Sequence, residues 1–229
     1  MKISGSGRLS EGTINDELRV SGSARIDGNF ECNGFRSSGS LRGTGNLTVH
    51  GDVRSSGSFR LNGSLYGDGN AKSSGSASVG GDLLIKGALG SSGSLKVGNK
   101  LEALEGIRSS GSLRLQGDVF SQKRIDIEGS ATIEGSIKGD EIFIGTSLIR
   151  ARKLIKQRFK VYGSIFATNK VDITGTYVKG DVRGRDVRIG RGTEILGTVY
   201  YIDTIEIHKQ ATLTNEPIQI EAEKKQYKE

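Results

Sequence analysis

The string Ser-Ser-Gly-Ser begins at residues 37, 55, 73, 91 and 109, and every interval is 18. A period of six lies beneath it, because glycines stand at 39, 45, 51, 57, 63, 69, 75, 81, 87 and 93 without a miss. Two residues after each of these glycines the chain is apolar, from Leu41, Leu47 and Val53 to Leu95, and the same count runs on through Ile137, seventeen hits in succession. With 34% hydrophobic residues in the chain, the random probability of that run in one chosen phase is on the order of 10⁻⁸. A helix cannot use this period, since six residues at ~100° each set successive apolar groups about 120° apart around the cylinder. A solenoid coil of three short strands can use it. Each strand points its central apolar side chain inward, and each corner takes a residue with permissive dihedrals, which glycine supplies. Inward pairs two residues apart, such as Phe59/Leu61, Ala77/Val79, Leu83/Ile85 and Leu113/Leu115, fit the alternating faces of a strand.

The sequence therefore predicts an all-β fold: a single-stranded parallel β-helix solenoid, triangular, with three short strands per coil of about 18 residues. Upstream, Gly22, Gly28 and Gly34 keep the count, and the step of five to Gly39 marks one shorter corner. Downstream of Ile137 the glycines thin out, and pairs such as Ile142/Ile144, Ile165/Ala167, Val171/Ile173, Val187/Ile189 and Ile205/Ile207 recur, with intervals of 16 and 18 from Val171 through Val187 to Ile205. We divide the chain into a Gly/Ser-rich hexad-repeat β-helix (1–140), an irregular basic coil or insertion (141–160), a continuation of the β-helix with looser corners (161–218) and a charged disordered tail (219–229). From Leu18 to Leu213 this gives roughly eleven coils and a rod of ~50 Å.

Glycine accounts for 35 of 229 residues and proline for one, so collagen is excluded, and the steady supply of Leu, Ile and Val excludes a flexible linker. No apolar run approaches the ~18 residues of a membrane-spanning helix, and the start does not resemble a signal peptide. An intracellular, cytoplasmic location is expected. The single cysteine, Cys32, cannot form an internal disulfide, which agrees with a reducing compartment.

The formal net charge is +7, and the cations are organised. Residues 18 apart stack, which places Arg36, Arg54, Lys72, Gly90 and Arg108 in one column and Arg42, Arg60, Ser78, Lys96 and Arg114 in another. Two basic ladders thus flank the Ser-Ser-Gly-Ser repeats. They either keep the rod soluble or form a contact surface for an anion. A denser cluster holds Arg150, Arg152, Lys153, Lys156, Arg158 and Lys160, interleaved with apolar residues. It reads as a coil with a basic outer face or as an amphipathic contact with anionic lipid. Nucleic acid is disfavoured, since neither stacking aromatics nor a recognisable module accompanies the charge.

Nothing here reads as a catalytic, cofactor or metal site. A nucleophilic serine needs one base and one orienting group, whereas these serines repeat identically on five coils. His50 and His208 each follow an inward residue, so both should face solvent, without a metal-ligand partner at a useful spacing. Hexapeptide-repeat acyltransferases share the period of three sixes but carry a catalytic histidine on or beside an extruded loop, and the repeat from 39 to 137 has no insertion to form one. That remote alternative would depend on His50 or His208.

The Gly-Ser-x-apolar-x-Gly units, especially Gly129-Ser130-Ala131-Thr132-Ile133-Glu134-Gly135-Ser136-Ile137-Lys138-Gly139-Asp140 and the later Ile195-Leu196-Gly197-Thr198-Val199, resemble the bactofilins, bacterial polymer-forming cytoskeletal proteins. The resemblance implies a right-handed β-helix assembling end to end, without nucleotide, into filaments that serve cell shape, motility or envelope processes. It further implies a second copy of the chain or a related bactofilin subunit as partner, and peripheral contact with the inner face of the membrane or with an envelope protein. No segment of the sequence reads as a cap, and a solenoid without caps exposes strand edges and core side chains at its ends. Leu18, Val20, Ile205, Ile207, Leu213 and Ile218 are the candidate polymerising residues on the terminal coils. The alternative function is a basic-faced binding module for anionic lipid, cell-wall polymer or nucleic acid.

Overall fold

The computed structural model describes residues 1–145 and 159–221. It is all-β among those residues: parallel strands stacked as a solenoid of about 11 turns with roughly 18 residues per turn. Three faces run the length of the rod. On the first, Leu41, Phe59, Ala77, Leu95, Leu113, Ala131 and Phe159 lie in one inward column. On the second the column runs Leu47, Leu65, Leu83, Leu101, Val119, Ile137, Ile165, Val182 and Val199. On the third it runs Phe35, Val53, Ala71, Leu89, Ile107, Ile125, Ile142, Val171, Val187 and Ile205. Every apolar residue of the seventeen-member hexad run is buried, so the period of six marks the single core of the molecule.

Glycine holds the corners for a different reason from the one expected. None of the ten hexad glycines from 39 to 93 has a positive φ. What excludes a side chain is close approach between coils: a Cβ on Gly39, Gly57, Gly75, Gly93 or Gly111 would lie between 1.9 and 2.1 Å from the carbonyl oxygen of the glycine stacked on it one coil earlier. A residue stacked at this distance on the preceding coil's carbonyl has no room for a Cβ, so each of these corners takes glycine.

The corner between the first and second faces carries a second device. The residue after its glycine is Asn, Ser or Asp on most coils, and its side-chain oxygen accepts the backbone N–H of the equivalent residue one coil on. Asn29 accepts from Asn46, Asn46 from Ser64, Ser64 from Asp82 and Asp82 from Lys100, at 2.8–3.1 Å. The ladder resumes from Asp118 through Ser136, Ser164 and Asp181 to Thr198. These bonds satisfy corner amides that the strands leave over.

Coil length varies where the sequence indicated. Val20 pairs with Ser37, 17 residues on, while Ser37 pairs with Ser55, 18 on. Ala131 pairs with Phe159, which makes that coil 28 residues long against 18 for the coil before it. The additional residues fall in the sequence between Gly145 and Phe159. Residue 140 is not a boundary, because one strand spans Ile137–Ile144. Arg150, Arg152, Lys153, Lys156 and Arg158 lie outside the described residues, as do residues 222–229 of the expected 219–229 tail; Gln219, at its start, belongs to the strand Ile218–Gln219.

The first serine of each Ser-Ser-Gly-Ser unit faces inward. Ser37, Ser55, Ser73, Ser91 and Ser109 are all buried, and no protein group pairs with their hydroxyls. Later coils place Ile127, Ile144, Ile173 and Ile189 in this same column. The glycine-rich half is thus the more thinly filled. A cavity of ≈ 30 Å³ lies inside it, lined in part by Ser73, Ala71, Ala77 and Phe59.

Candidate functional site: the serine edge and the open ends

The corner between the third and first faces collects the exposed serines and both basic ladders. Strand register confirms the expected columns: Arg36, Arg54, Lys72, Gly90 and Arg108 on the third face, and Arg42, Arg60, Ser78, Lys96 and Arg114 on the first. Both extend further toward the amino terminus than counting by 18 shows. Lys2 and Arg19 continue the first ladder, and Arg8 and Arg25 the second. The terminal coils are one residue shorter, so a step of 18 back from Arg36 lands on Leu18 and misses Arg19. The signal that finds them is the cassette itself: Lys2-Ile3-Ser4-Gly5-Ser6-Gly7-Arg8 and Arg19-Val20-Ser21-Gly22-Ser23-Ala24-Arg25 match Arg36-Ser37-Ser38-Gly39-Ser40-Leu41-Arg42. In the other direction the first ladder ends at Asp126. Lys160 is exposed in the second column, beyond Arg114 and Thr132.

Ion pairing is uneven along the edge. Glu17 pairs with Arg19 and Arg36, Asp52 with Arg54, and Asp27 with Arg8 and Arg25. Exposed pairs of this kind contribute ~0–1 kcal/mol each and chiefly orient the guanidinium groups. Among the described residues, Arg42, Arg60, Lys72, Lys96, Arg108 and Arg114 form no ion pair, and all six are exposed. Lys2, Arg19, Arg36, Arg54 and Lys72 line one groove of ≈ 380 Å³ beside the serines.

Both histidines are exposed, as expected. His50 is not isolated, however. Glu31 and Asp68, from the coils on either side, hydrogen-bond its two ring nitrogens, and Lys86 pairs with Asp68 at 2.8 Å. Hydrogen bonds to Glu31 first and Asp68 second favour the imidazolium and raise the His50 pKa above its ordinary value of 6.5. The sign follows: this stabilisation is fully present below 6.5 and is lost as pH rises through the elevated folded value. Proton NMR should place the His50 midpoint above 6.5, and Glu31→Gln should lower it; an unchanged midpoint in that variant would remove Glu31 as the cause. Cys32 is fully buried, and burial pushes its thiol up to about 11, so it remains an unreactive core residue.

The end residues need correction. Leu18 and Val20 are 0% and 1% exposed, because the coil formed by Lys2–Ile3 and the first part of Ser6–Val20 covers them. Ile3, Leu9 and Ile14 lie on that first coil instead, with Leu9 and Ile14 only partly buried. At the other end Ile205, Ile207 and Leu213 continue inward columns through Val187, Ile189 and Ile195. Ile207 is 44% exposed although Ile189, its partner one coil earlier, is 1% exposed. Ile218 is exposed on the last coil, but it pairs with Tyr200 in an outward column and is not part of the core end.

Among the described residues, no helix is long and apolar enough to cross a membrane, and no group of three or more His, Cys, Asp or Glu is placed to hold a metal ion. No family model, curated protein or solved structure matches this chain.

Proposed function

We propose that this chain is a non-enzymatic scaffold subunit that assembles end to end into filaments without nucleotide, as its resemblance to bactofilins implies. The observation that carries this reading is the exposure of Ile207 on the last coil of the described residues. Ile207 stands in a column that is otherwise closed, and among the described residues nothing lies over it. The strands of the first and last coils run in the same direction, so a second copy can continue the parallel ladder head to tail. Such a contact is heterologous and does not close, which yields open filaments. Removing roughly 400 Å² of apolar surface gains on the order of 10 kcal/mol, against an association cost of ~4–15, so assembly should depend on concentration.

Electron microscopy of purified protein without nucleotide should show filaments or chains. Ile207→Arg should abolish them, because a charge cannot be buried unpaired against a partner's Ile3, Leu9 and Ile14, while circular dichroism remains that of a β protein. A monodisperse monomer at high concentration would sink the proposal, and sedimentation unchanged by Ile207→Arg would remove this end from the interface.

A further inference from the structure

We infer that the groove along the serine edge is a binding site for a linear phosphate polymer, laid parallel to the rod axis. This inference is independent of filament assembly.

The groove places five cations, Lys2, Arg19, Arg36, Arg54 and Lys72, on five successive coils. Coils stack at ~4.8 Å, so the row spans about 19 Å. Like charges at this spacing repel one another by around 1 kcal/mol per neighbouring pair in water, and a polyanion relieves that repulsion along its whole length. Glu17 and Asp52 offset part of the charge, but both approach from the preceding corner. On the other side, Arg42 and Arg60 stand across the serines with no acid paired to them among the described residues. The net field at the edge is positive.

Donors accompany the charge. Ser38, Ser56 and Ser74 line the groove beside Arg36, Arg54 and Lys72. All five cations are followed two residues later by a serine (Ser4, Ser21, Ser38, Ser56 and Ser74), four of which line the groove, and this suits a tetrahedral phosphoryl group with several acceptor oxygens. Guanidinium groups add the fork geometry that phosphate accepts bidentately.

Shape narrows the class. The five cations form one row along the rod axis, one per coil, which matches the linear charge of an unbranched chain. None of the exposed large hydrophobic side chains lines the groove, so nothing there can anchor in a bilayer. No aromatic residue lines it either, so nucleotide bases have no stacking platform. A phosphate chain without bases meets all three conditions.

The test is fluorescence anisotropy of the full chain with labelled long-chain inorganic polyphosphate. Each neutralised phosphate contributes about −0.7 to the slope of log K against log salt, so four contacts predict a loss of roughly 50-fold between 50 and 200 mM salt. The triple variant Arg36→Ser, Arg54→Ser, Lys72→Ser should weaken binding about tenfold or more, while a control removing equal charge elsewhere, Lys123→Ser, Lys138→Ser, Lys179→Ser, should change it little. All six side chains are outward, and thermal melts of both variants establish that the fold is intact. Three results would overturn the inference: equal loss in the two variants, tripolyphosphate binding as tightly as the long chain, or preference for single-stranded DNA or anionic vesicles over polyphosphate.

Discussion

Gly75→Ala is expected to destabilise the solenoid by about 4 kcal/mol or more, among the largest effects of any single substitution, although it adds one methyl group to a surface corner. The added Cβ would lie 2.1 Å from the carbonyl oxygen of Gly57 and 2.6 Å from that of Ser56, both backbone atoms of the adjacent coil. No rotamer change can relieve such an overlap. The coils must part locally, which breaks the bond from the Ser76 N–H to the Gly57 carbonyl at 3.1 Å. Gly90→Ala is the matched control. A Cβ there meets nothing within 4 Å, and the residue occupies an outward position in the basic ladder. That change should fall within about 0.5 kcal/mol of neutral, or stabilise slightly by restricting the unfolded chain. Urea denaturation of the two variants decides the matter, and similar midpoints would refute close coil approach as the reason for glycine.

Phe59→Ala should cost about 3–5 kcal/mol. The ring is 3% exposed and sits 5.5 Å, centroid to centroid, from Phe35 in a tilted arrangement. It also borders the ≈ 30 Å³ cavity beside Ala71 and Ala77, whose small side chains cannot advance to fill a new void. The lost apolar burial and the enlarged cavity add in the same place. Tyr66→Ala, at an outward position 37% exposed, should cost far less. A thermal melt in which the two variants fall together would mean that this level of the core is not packed as described.

Much of this molecule is legible in its sequence because the fold is locally repetitive. In a solenoid each coil contacts only its neighbours, so a constant interval in sequence becomes a constant translation in space. That is why Leu41, Leu47 and Val53 announce the interior, and why Arg36 can be placed beside Arg54 without coordinates. Legibility fails where the interval changes. Counting by 18 starts the rod at Leu18 and so places Leu18 and Val20 at an end face, one coil too late. Arg19 and Lys2 escaped for the same reason, a coil of 17 residues in place of 18. The inward turn of Ser37 and its equivalents also escaped, since polarity alone argues that a serine faces water. Its column is inward because it lies two residues after Val53-type positions on the same strand.

Sequence by itself determined the fold class, the three faces, the core and the existence of two basic ladders, since period and apolar phase fix which side chains can point inward on a pleated strand. Only the tertiary structure decided why the corners are glycine, because the obstruction is the backbone of another coil and not the residue's own φ. It also decided that the ladders frame a groove, that Glu31 and Asp68 bracket His50, and that Ile207 is left partly uncovered at an end. Each of those depends on distances between coils, which a count along the chain does not contain.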